Sequence, residues 1–194
     1  NNNTYPSITT VLSILSEDAI KAWRARVGEE EANRISKTAS NRGTAVHDLL
    51  ERYVNNESDF DKEVEPHIMQ SFYDVKPVLD KCLTKVYAQE AGLYSERLGV
   101  AGRVDCVGEW NGIDSIIDYK TSKKLKKKEW IDSYFMQSTA YAIMWEERTG
   151  IPINQIVVVI AVDNEEPQIF IEKRENWTEK LIQTIAEYNS RKNI

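Results

Sequence analysis

The chain has 194 residues, 41% hydrophobic and 29% charged, and its formal net charge is −6. This length suits one domain with a substantial core, and the composition is that of a globular protein rather than a fibrous or disordered one. The negative charge argues against a general nucleic-acid coat protein but not against a nucleic-acid enzyme, because local charge and metal ions decide binding at a site. Two cysteines, Cys82 and Cys106, are too few for a disulfide scaffold and indicate a reducing compartment.

Residues 1–84 are predicted to form a mainly helical part. Residues 1–6 are interpreted as a loosely attached leader. Short helices are predicted at residues 7–15, 16–27 and 29–37, and a better one at 41–53, where Val46, Leu49, Leu50 and Tyr53 recur at helical spacing. Pro66 favours the start of another helix to about residue 83, which Pro77 would kink or break.

Residues 85–194 are predicted to form a sheet-containing core. A strand is expected over residues 85–98, with a turn or bulge at Gly92. The longest helix is expected at 129–148, strands at 155–162 and 168–172, and a closing helix at 177–188. No internal repeat or linker is visible, so the sequence predicts one α/β domain with helices before and after a central sheet.

The stretch from Gly102 to Lys120 predicts a β-hairpin. Asn111-Gly112 suits a type I′ turn, because both central residues of that turn need positive φ. A two-residue turn pairs residue 110 with 113 and therefore 105 with 118. The isoleucine-rich second strand is typical of the centre of a sheet. The period of two then places Asp105, Asp118 and Lys120 on one face.

Two opposed carboxylates repel each other unless a cation lies between them, and Mg²⁺ prefers carboxylate oxygens. A nearby lysine could hold a nucleophilic water or steady charge on a phosphate. Asp105, Asp118 and Lys120 therefore suggest metal-assisted phosphodiester cleavage. Taken one at a time, each aspartate could equally be a solvated strand end.

Other residues are candidates for the same site. Gln137 and Tyr141 share a helix face, where Gln137 could bind a phosphate or orient Lys120, or could simply be half-buried. His47 could be a metal ligand that favours Mn²⁺ or a core histidine, and Glu96 a further acid or a strand-edge carboxylate. The basic run contains Lys123, Lys124, Lys126, Lys127 and Lys128; it could follow a phosphate backbone or be a solvated face. Trp130 and Tyr134 could stack on bases, although core packing is commoner.

Taken together, these motifs resemble those of a known family. His47, Gly102-Arg103-Val104-Asp105, the run from Ile117 to Ser122, and Gln137-Ser138-Thr139-Ala140-Tyr141 occur in the order typical of RecB-type nucleases of the PD-(D/E)XK superfamily. Within that superfamily the chain is most similar to the mitochondrial genome maintenance exonucleases and related phage and bacterial single-domain exonucleases. The resemblance covers about residues 6–192.

The resemblance implies a restriction-endonuclease-like core, a mixed central sheet flanked by helices. It implies Asp105 and Asp118 as ligands of Mg²⁺ or Mn²⁺, and His47 as a further ligand or site residue. It also implies Lys120 as the catalytic lysine, and Gln137 and Tyr141 as residues that support the site and contact DNA. Lys123, Lys124 and Lys126 are further candidate DNA contacts. The cysteine cluster that holds an iron–sulfur centre in some relatives is absent, so no iron–sulfur cluster is expected.

The resulting hypothesis is a metal-dependent exonuclease that acts on single-stranded DNA ends in replication, repair or recombination. Three alternatives stay open: a structure-specific or flap endonuclease, a non-catalytic DNA-binding module, and a glycosidase that uses two carboxylates. No membrane-spanning run or signal segment is visible, which favours a cytoplasmic bacterial or phage protein. The mitochondrial matrix is the other expectation, if a transit peptide has been removed.

Overall fold

A mixed five-stranded sheet forms the centre of the protein. The computed structural model describes residues 4–192. The strands are β1 (Leu83–Ser95), β2 (Val100–Trp110), β3 (Ile113–Ser122), β4 (Gln155–Val162) and β5 (Gln168–Lys173), and their order in the sheet follows the chain. Only β3 and β4 are parallel among these neighbours. The predicted mixed sheet, with the isoleucine-rich strand at its centre, is confirmed.

Six α-helices surround this sheet within residues 4–192. They are α1 (Ile8–Leu12), α2 (Glu17–Val27), α3 (Glu29–Val54), α4 (Pro66–Cys82), α5 (Asp132–Thr149) and α6 (Glu175–Lys192). Helix α5 connects β3 to β4, because parallel neighbours need a crossover rather than a tight turn. None of the helices in this part of the chain is long and apolar enough to cross a bilayer.

The helices cover the sheet in two layers. On one face, α1, α5 and α6 pack over a buried cluster that includes Ile116 of β3. On the other face, α3 and α4 pack over a second cluster that includes Ile117. Successive residues of β3 thus enter opposite cores, as expected for a strand buried on both faces.

Helix α3 corrects the prediction of two helices at 29–37 and 41–53. It runs unbroken for 26 residues. Residues 36–41 are exposed, so no apolar stripe marks them, yet they contain no proline or glycine that would end a helix. It is also longer than α5, which begins only at Asp132 after a short 3₁₀ turn. Pro77 does not end α4, which continues through it to Cys82.

Two further predictions are wrong. Residues 1–3 lie outside the described part of the chain, but the residues after them are attached: the Ala101 N–H donates to the Pro6 carbonyl over 3.0 Å, and the Tyr5 ring stacks on Tyr94. Gly92 marks no turn or bulge and pairs regularly with Arg103. The register of β1 shifts instead between Leu83 and Lys85 and between Val86 and Ala88, where side chains alone gave no signal.

Candidate functional site

The predicted hairpin forms around Asn111 and Gly112. Their φ angles are 51° and 79°, both positive as a type I′ turn requires. The expected register holds from Trp110 and Ile113 to Cys106 and Ile117. The ladder ends there, one pair before Asp105 and Asp118, so the two aspartates are not backbone partners.

Strands β2 and β3 separate at this point. The backbone groups of β3 that lose their partners on β2 bond side chains of the site instead. The Tyr119 N–H donates to Asp105 Oδ2 over 2.8 Å, and the Tyr119 carbonyl accepts a bond from His47 Nε2 over 2.7 Å. Buried backbone groups need such partners. The site therefore occupies the gap between β2 and β3, and His47 reaches it from α3.

The side-chain alternation of β2 also slips at this point. Val104 and Val107 belong to the cluster under α1, α5 and α6, whereas Cys106 belongs to the cluster on the other face. Residues three apart on a regular strand point to opposite faces. Asp105 thus stands at an irregularity of β2, which a strict period of two could not anticipate.

One ring nitrogen of His47 bonds the backbone and the other faces Asp105. A carbonyl can only accept, so the 2.7 Å bond to Tyr119 requires the proton on Nε2. The other nitrogen, Nδ1, lies 3.3 Å from Asp105 Oδ1. Metal-binding histidines typically hold their second nitrogen in this way on a backbone carbonyl. The two oxygens of Asp105 also have different partners: Oδ2 accepts a hydrogen bond from the backbone, and Oδ1 faces His47 Nδ1.

Glu90 joins this pair, and the sequence analysis missed it. The pairs Gln89–Cys106 and Ala91–Val104 flank it, so the register places it opposite Asp105. Its φ of 46° is unusual for a non-glycine residue within a strand and is typical of functional positions. Ligand atoms of His47, Glu90 and Asp105 lie within 4.8 Å of one another. Arg103 Nε binds Glu90 Oε2 over 2.8 Å.

Glu96, the acid that the sequence suggested instead, lies in the turn between β1 and β2. Its backbone N–H donates to Glu147 Oε1 over 2.8 Å, and it does not belong to the group of three. A turn that ends at Gly99, whose φ is 65°, fixes how β1 pairs with β2. That pairing places Glu90 opposite Asp105, so Gly99 was the signal in the sequence that could have identified Glu90.

Asp118 and Lys120 form a second, deeper part of the site. Lys120 Nζ lies 2.8 Å from Asp118 Oδ2 and donates to Gln137 Oε1 over 3.0 Å. Gln137 Nε2 in turn donates to the Tyr141 hydroxyl over 3.0 Å. The predicted pair on α5 therefore holds Lys120 in place. Asp118 is 1% exposed and is not part of the group of three.

Gly102 makes room for this chain of contacts. A Cβ at this position would lie 2.7 Å from Cε1 of Tyr141 and 3.2 Å from Cγ2 of Ile8. Carbon atoms do not approach so closely without a shift in the neighbouring groups. The glycine of the Gly102-Arg103-Val104-Asp105 motif thus lets the Tyr141 ring pack directly on β2.

Burial and neighbouring charge shift the pKa values of these groups in different directions. Burial raises the pKa of Asp118 to about 6, against the attraction of Lys120 and with the repulsion of Asp105. Burial also opposes the charge of Asp105 and Lys120. Even so, His47 brings the pKa of Asp105 below its usual value, and the two aspartates bring that of Lys120 above its own. Burial lowers the pKa of His47, but the hydrogen bond and charge of Asp105 outweigh this effect. The pKa of His47 therefore lies above its usual value.

An open cleft of about 640 Å³ gives access to the group of three. It is lined by residues of α1 and its N-cap, of α3 and α5, and of the first two strands: Ser7, Ile8, Thr9, Gly43, Thr44, His47, Asp48, Glu51, Glu90, Gly102, Arg103, Asp105, Gln137 and Tyr141. Asp118 and Lys120 lie beneath it. Lys123, Lys124 and Lys126 do not line it; they belong to the loop after β3.

The donor set fits a divalent cation. It offers carboxylate oxygens, which suit Mg²⁺ and Mn²⁺, and one imidazole nitrogen, which suits Mn²⁺ better than Mg²⁺. The buried Asp118 Oδ1 has no hydrogen-bond partner among residues 4–192, an unusual state that a cation could relieve. The group of three contains no thiolate, and both cysteines are buried in the cluster under α3 and α4.

Comparisons with known proteins point to exonucleases. No protein-family model matches the chain. The chain is 27% identical to human mitochondrial genome maintenance exonuclease 1 over 210 aligned positions, which cover 98% of this chain. It spans 60% of the length of that relative. The identity is weak, but it extends over nearly all of the chain described here.

A solved structure shares the fold. A crystal structure described as a candidate exonuclease from Eubacterium rectale superposes with a TM-score of 0.53 at 14% identity. The match covers 78% of this chain and 68% of that one. At this identity the likeness extends to the arrangement of helices and strands and to nothing finer.

Proposed function

We propose that the protein is a divalent-metal-dependent deoxyribonuclease of the PD-(D/E)XK type that removes nucleotides from single-stranded DNA ends. The observation that carries the proposal is the convergence of His47, Glu90 and Asp105 within 4.8 Å, above the Asp118–Lys120 pair. The weak homology to an exonuclease and the fold shared with a candidate exonuclease support it. A role in replication, repair or recombination would follow from such a substrate.

The proposed metal ligands are His47 through Nδ1, Asp105 through Oδ1, and Glu90. Asp118, whose Oδ1 lacks a hydrogen bond, is proposed to complete the set. When bound, Mg²⁺ or Mn²⁺ would polarise a phosphoryl oxygen and lower the pKa of a coordinated water. The His47–Tyr119 hydrogen bond fixes the tautomer that keeps Nδ1 available.

Lys120 is proposed to act as a fixed cation. Because its pKa is raised, its ammonium group keeps its proton near neutral pH and does not act as a base in the metal-free site. It can instead donate hydrogen bonds to the attacking water or to the phosphate, where negative charge develops during cleavage. Gln137 and Tyr141 hold it in position, so little reorganisation is needed when the substrate binds.

Cleavage of end-labelled DNA tests the proposal. Linear and circular single strands would be incubated with Mg²⁺, with Mn²⁺ and with EDTA. Metal-dependent loss of linear strands, with circles intact, is the expected result, and the label released first gives the polarity. Cutting of circles would identify an endonuclease. Cleavage that persists in EDTA would refute metal dependence.

A matched pair of variants on β3 ties the activity to this site. Asp118→Asn should abolish cleavage, because it removes the buried carboxylate beside Lys120. Asp114→Asn, four residues earlier on the same strand, removes a carboxylate that binds only the Tyr87 hydroxyl at 2.7 Å among the contacts described, and should leave cleavage intact. Equal activity in the two variants would contradict the assignment. A cytoplasmic or mitochondrial location stays a prediction.

A further inference from the structure

The loop between β3 and α5 carries an exposed tryptophan. Trp130 is 62% exposed, whereas the other four tryptophans, Trp23, Trp110, Trp145 and Trp177, are buried or half-buried. A tryptophan offers the largest aromatic surface of any side chain, and leaving it in water forgoes the free energy of burying it. Tryptophan is enriched among the residues that contribute most to binding at interfaces.

Side chains from other parts of the fold hold this loop in one conformation. The Gln168 side chain of β5 bonds both backbone groups of Lys126: its Oε1 accepts from the N–H over 2.7 Å and its Nε2 donates to the carbonyl over 2.9 Å. Ser122 Oγ donates to the Lys124 carbonyl over 2.6 Å. Lys128 forms an ion pair with Glu172. The loop is therefore preorganised, which reduces the entropy lost when a ligand binds.

Positive charge surrounds the indole. The Lys127 ammonium lies 5.2 Å from the centre of the Trp130 ring, and Lys123 and Lys124 are exposed on the same loop. On a chain whose net charge is −6, this cluster is a local exception. An aromatic face beside exposed cations matches a polyanion with flat bases, because bases stack on the ring while phosphates meet the cations.

The loop also adjoins the proposed active site at both ends. It begins after Ser122, two residues beyond Lys120, and leads through Ile131 into α5. On the first turn of α5, the Tyr134 ring lies 5.1 Å from the Lys120 ammonium. A strand held on this loop thus has a short path to the catalytic lysine.

We propose that Trp130 and Lys127 form a base-stacking subsite that holds single-stranded DNA next to the metal site. The subsite rests on the proposed nuclease function, since it binds the same strand outside the reacting centre. It is separate from the cleft above His47, Glu90 and Asp105, which Trp130 does not line.

Equilibrium binding tests the subsite without cleavage. The probe is a fluorescently labelled 12-nucleotide oligothymidylate in EDTA, followed by anisotropy. Trp130→Ala should raise the Kd about 5- to 150-fold, since stacking on an aromatic residue contributes about 1 to 3 kcal/mol per base. Trp130→Phe should recover most of the affinity. Tyr73→Ala, which removes a ring that is 55% exposed on α4, is the matched control and should bind as the parent does.

An abasic strand of the same length separates stacking from charge. Trp130→Ala should bind this strand as tightly as the parent protein does, because no bases remain to stack. Lys124→Gln should instead weaken binding of both strands and reduce the slope of log Kd against log salt by about 0.7. Equal loss of affinity for both strands in Trp130→Ala would overturn the stacking assignment.

Cleavage in Mg²⁺ or Mn²⁺ distinguishes failure of the subsite from failure of the proposed function. We expect Trp130→Ala to raise KM while kcat stays near the parent value. If the parent cleaves DNA and Trp130→Ala has the parent's KM and Kd, the subsite is refuted and the nuclease stands. If the parent neither binds nor cleaves the strand, both proposals fail.

Discussion

Adding one methyl group at Gly102 should reveal how tightly the site is built onto the sheet. In Gly102→Ala the new Cβ would stand 2.7 Å from Cε1 and 3.3 Å from the hydroxyl of Tyr141. The φ of Gly102 is not in the positive range, so the backbone accepts alanine without strain. Any cost must therefore come from crowding.

The size of that cost follows from the surroundings of the Tyr141 ring. Tyr141 is 2% exposed, and its hydroxyl is bonded to Gln137, so the ring cannot turn into solvent. Overpacking a well-filled core costs about 1 to 3 kcal/mol. For a chain of this size that corresponds to a fall in Tm of roughly 2 to 12 °C. Displacing Tyr141 also moves Gln137 and hence Lys120, so cleavage should slow as well.

Gly92→Ala on the neighbouring strand is the matched control. Gly92 pairs with Arg103, the residue after Gly102, and a Cβ there meets no atom within 4 Å. Its expected effect is a slight stabilisation, about 0.4 to 1 kcal/mol, because alanine restricts the unfolded chain. Thermal and urea unfolding of the two variants should thus shift in opposite directions.

A double-mutant cycle decides whether the Tyr141 ring is responsible. In a Tyr141→Ala background the ring is gone, and the cost of Gly102→Ala should fall by at least about 1 kcal/mol. The same cost in both backgrounds would refute the close contact described here. In that case the sensitivity of Gly102 would have to come from Ile8 or from the strand itself.

Three further predictions concern the turn, the metal and the lysine. Gly112→Ala should cost about 1 to 2 kcal/mol in thermal unfolding, because its φ is 79° and alanine resists that region; an unchanged Tm would contradict the turn. Glu90→Gln should weaken Mn²⁺ binding in titration calorimetry by about tenfold or more, whereas Glu96→Gln should leave it unchanged. Gln137→Leu should lower kcat roughly 10- to 100-fold at unchanged KM, because Lys120 loses a partner; a rise in KM alone would make Gln137 a substrate contact.

The sequence predicted the parts of the fold that depend on local patterns. The Asn111-Gly112 turn set the register of β2 on β3, and the run of β-branched residues identified β4 with its observed ends. Helix α3 was divided wrongly because its exposed middle has no apolar stripe. The helix continues there although Ser, Thr and Asn are poor helix formers, because no proline or glycine interrupts residues 36–41.

The placement of the candidate residues was predicted where it depends on motifs within one strand or helix, and missed where it depends on the register between β1 and β2. Asp118 and Lys120 lie two residues apart on β3. Gln137 accepts a hydrogen bond from Lys120, which is one of the alternatives that the sequence suggested for it. Glu90 was missed because the sequence analysis set no register for β1 on β2, although the turn at Gly99 would have indicated one. The parting of β2 and β3 at Asp105 is likewise a tertiary effect, because His47 enters the gap from a helix almost 60 residues earlier in the chain.

The hydrogen bonds to the Tyr119 backbone give two residues of the proposed site a second role in the stability of the fold. Asp105 and His47 each use one atom to complete the sheet and keep another for the proposed chemistry. A substitution that removes either side chain leaves a buried backbone group without its partner, which costs about 1 to 3 kcal/mol. A copy of this gene that is selected for folding but no longer for activity would keep these two residues longer than Glu90, which lines the open cleft. Their presence in a distant relative is therefore weaker evidence of an active enzyme than the presence of Glu90.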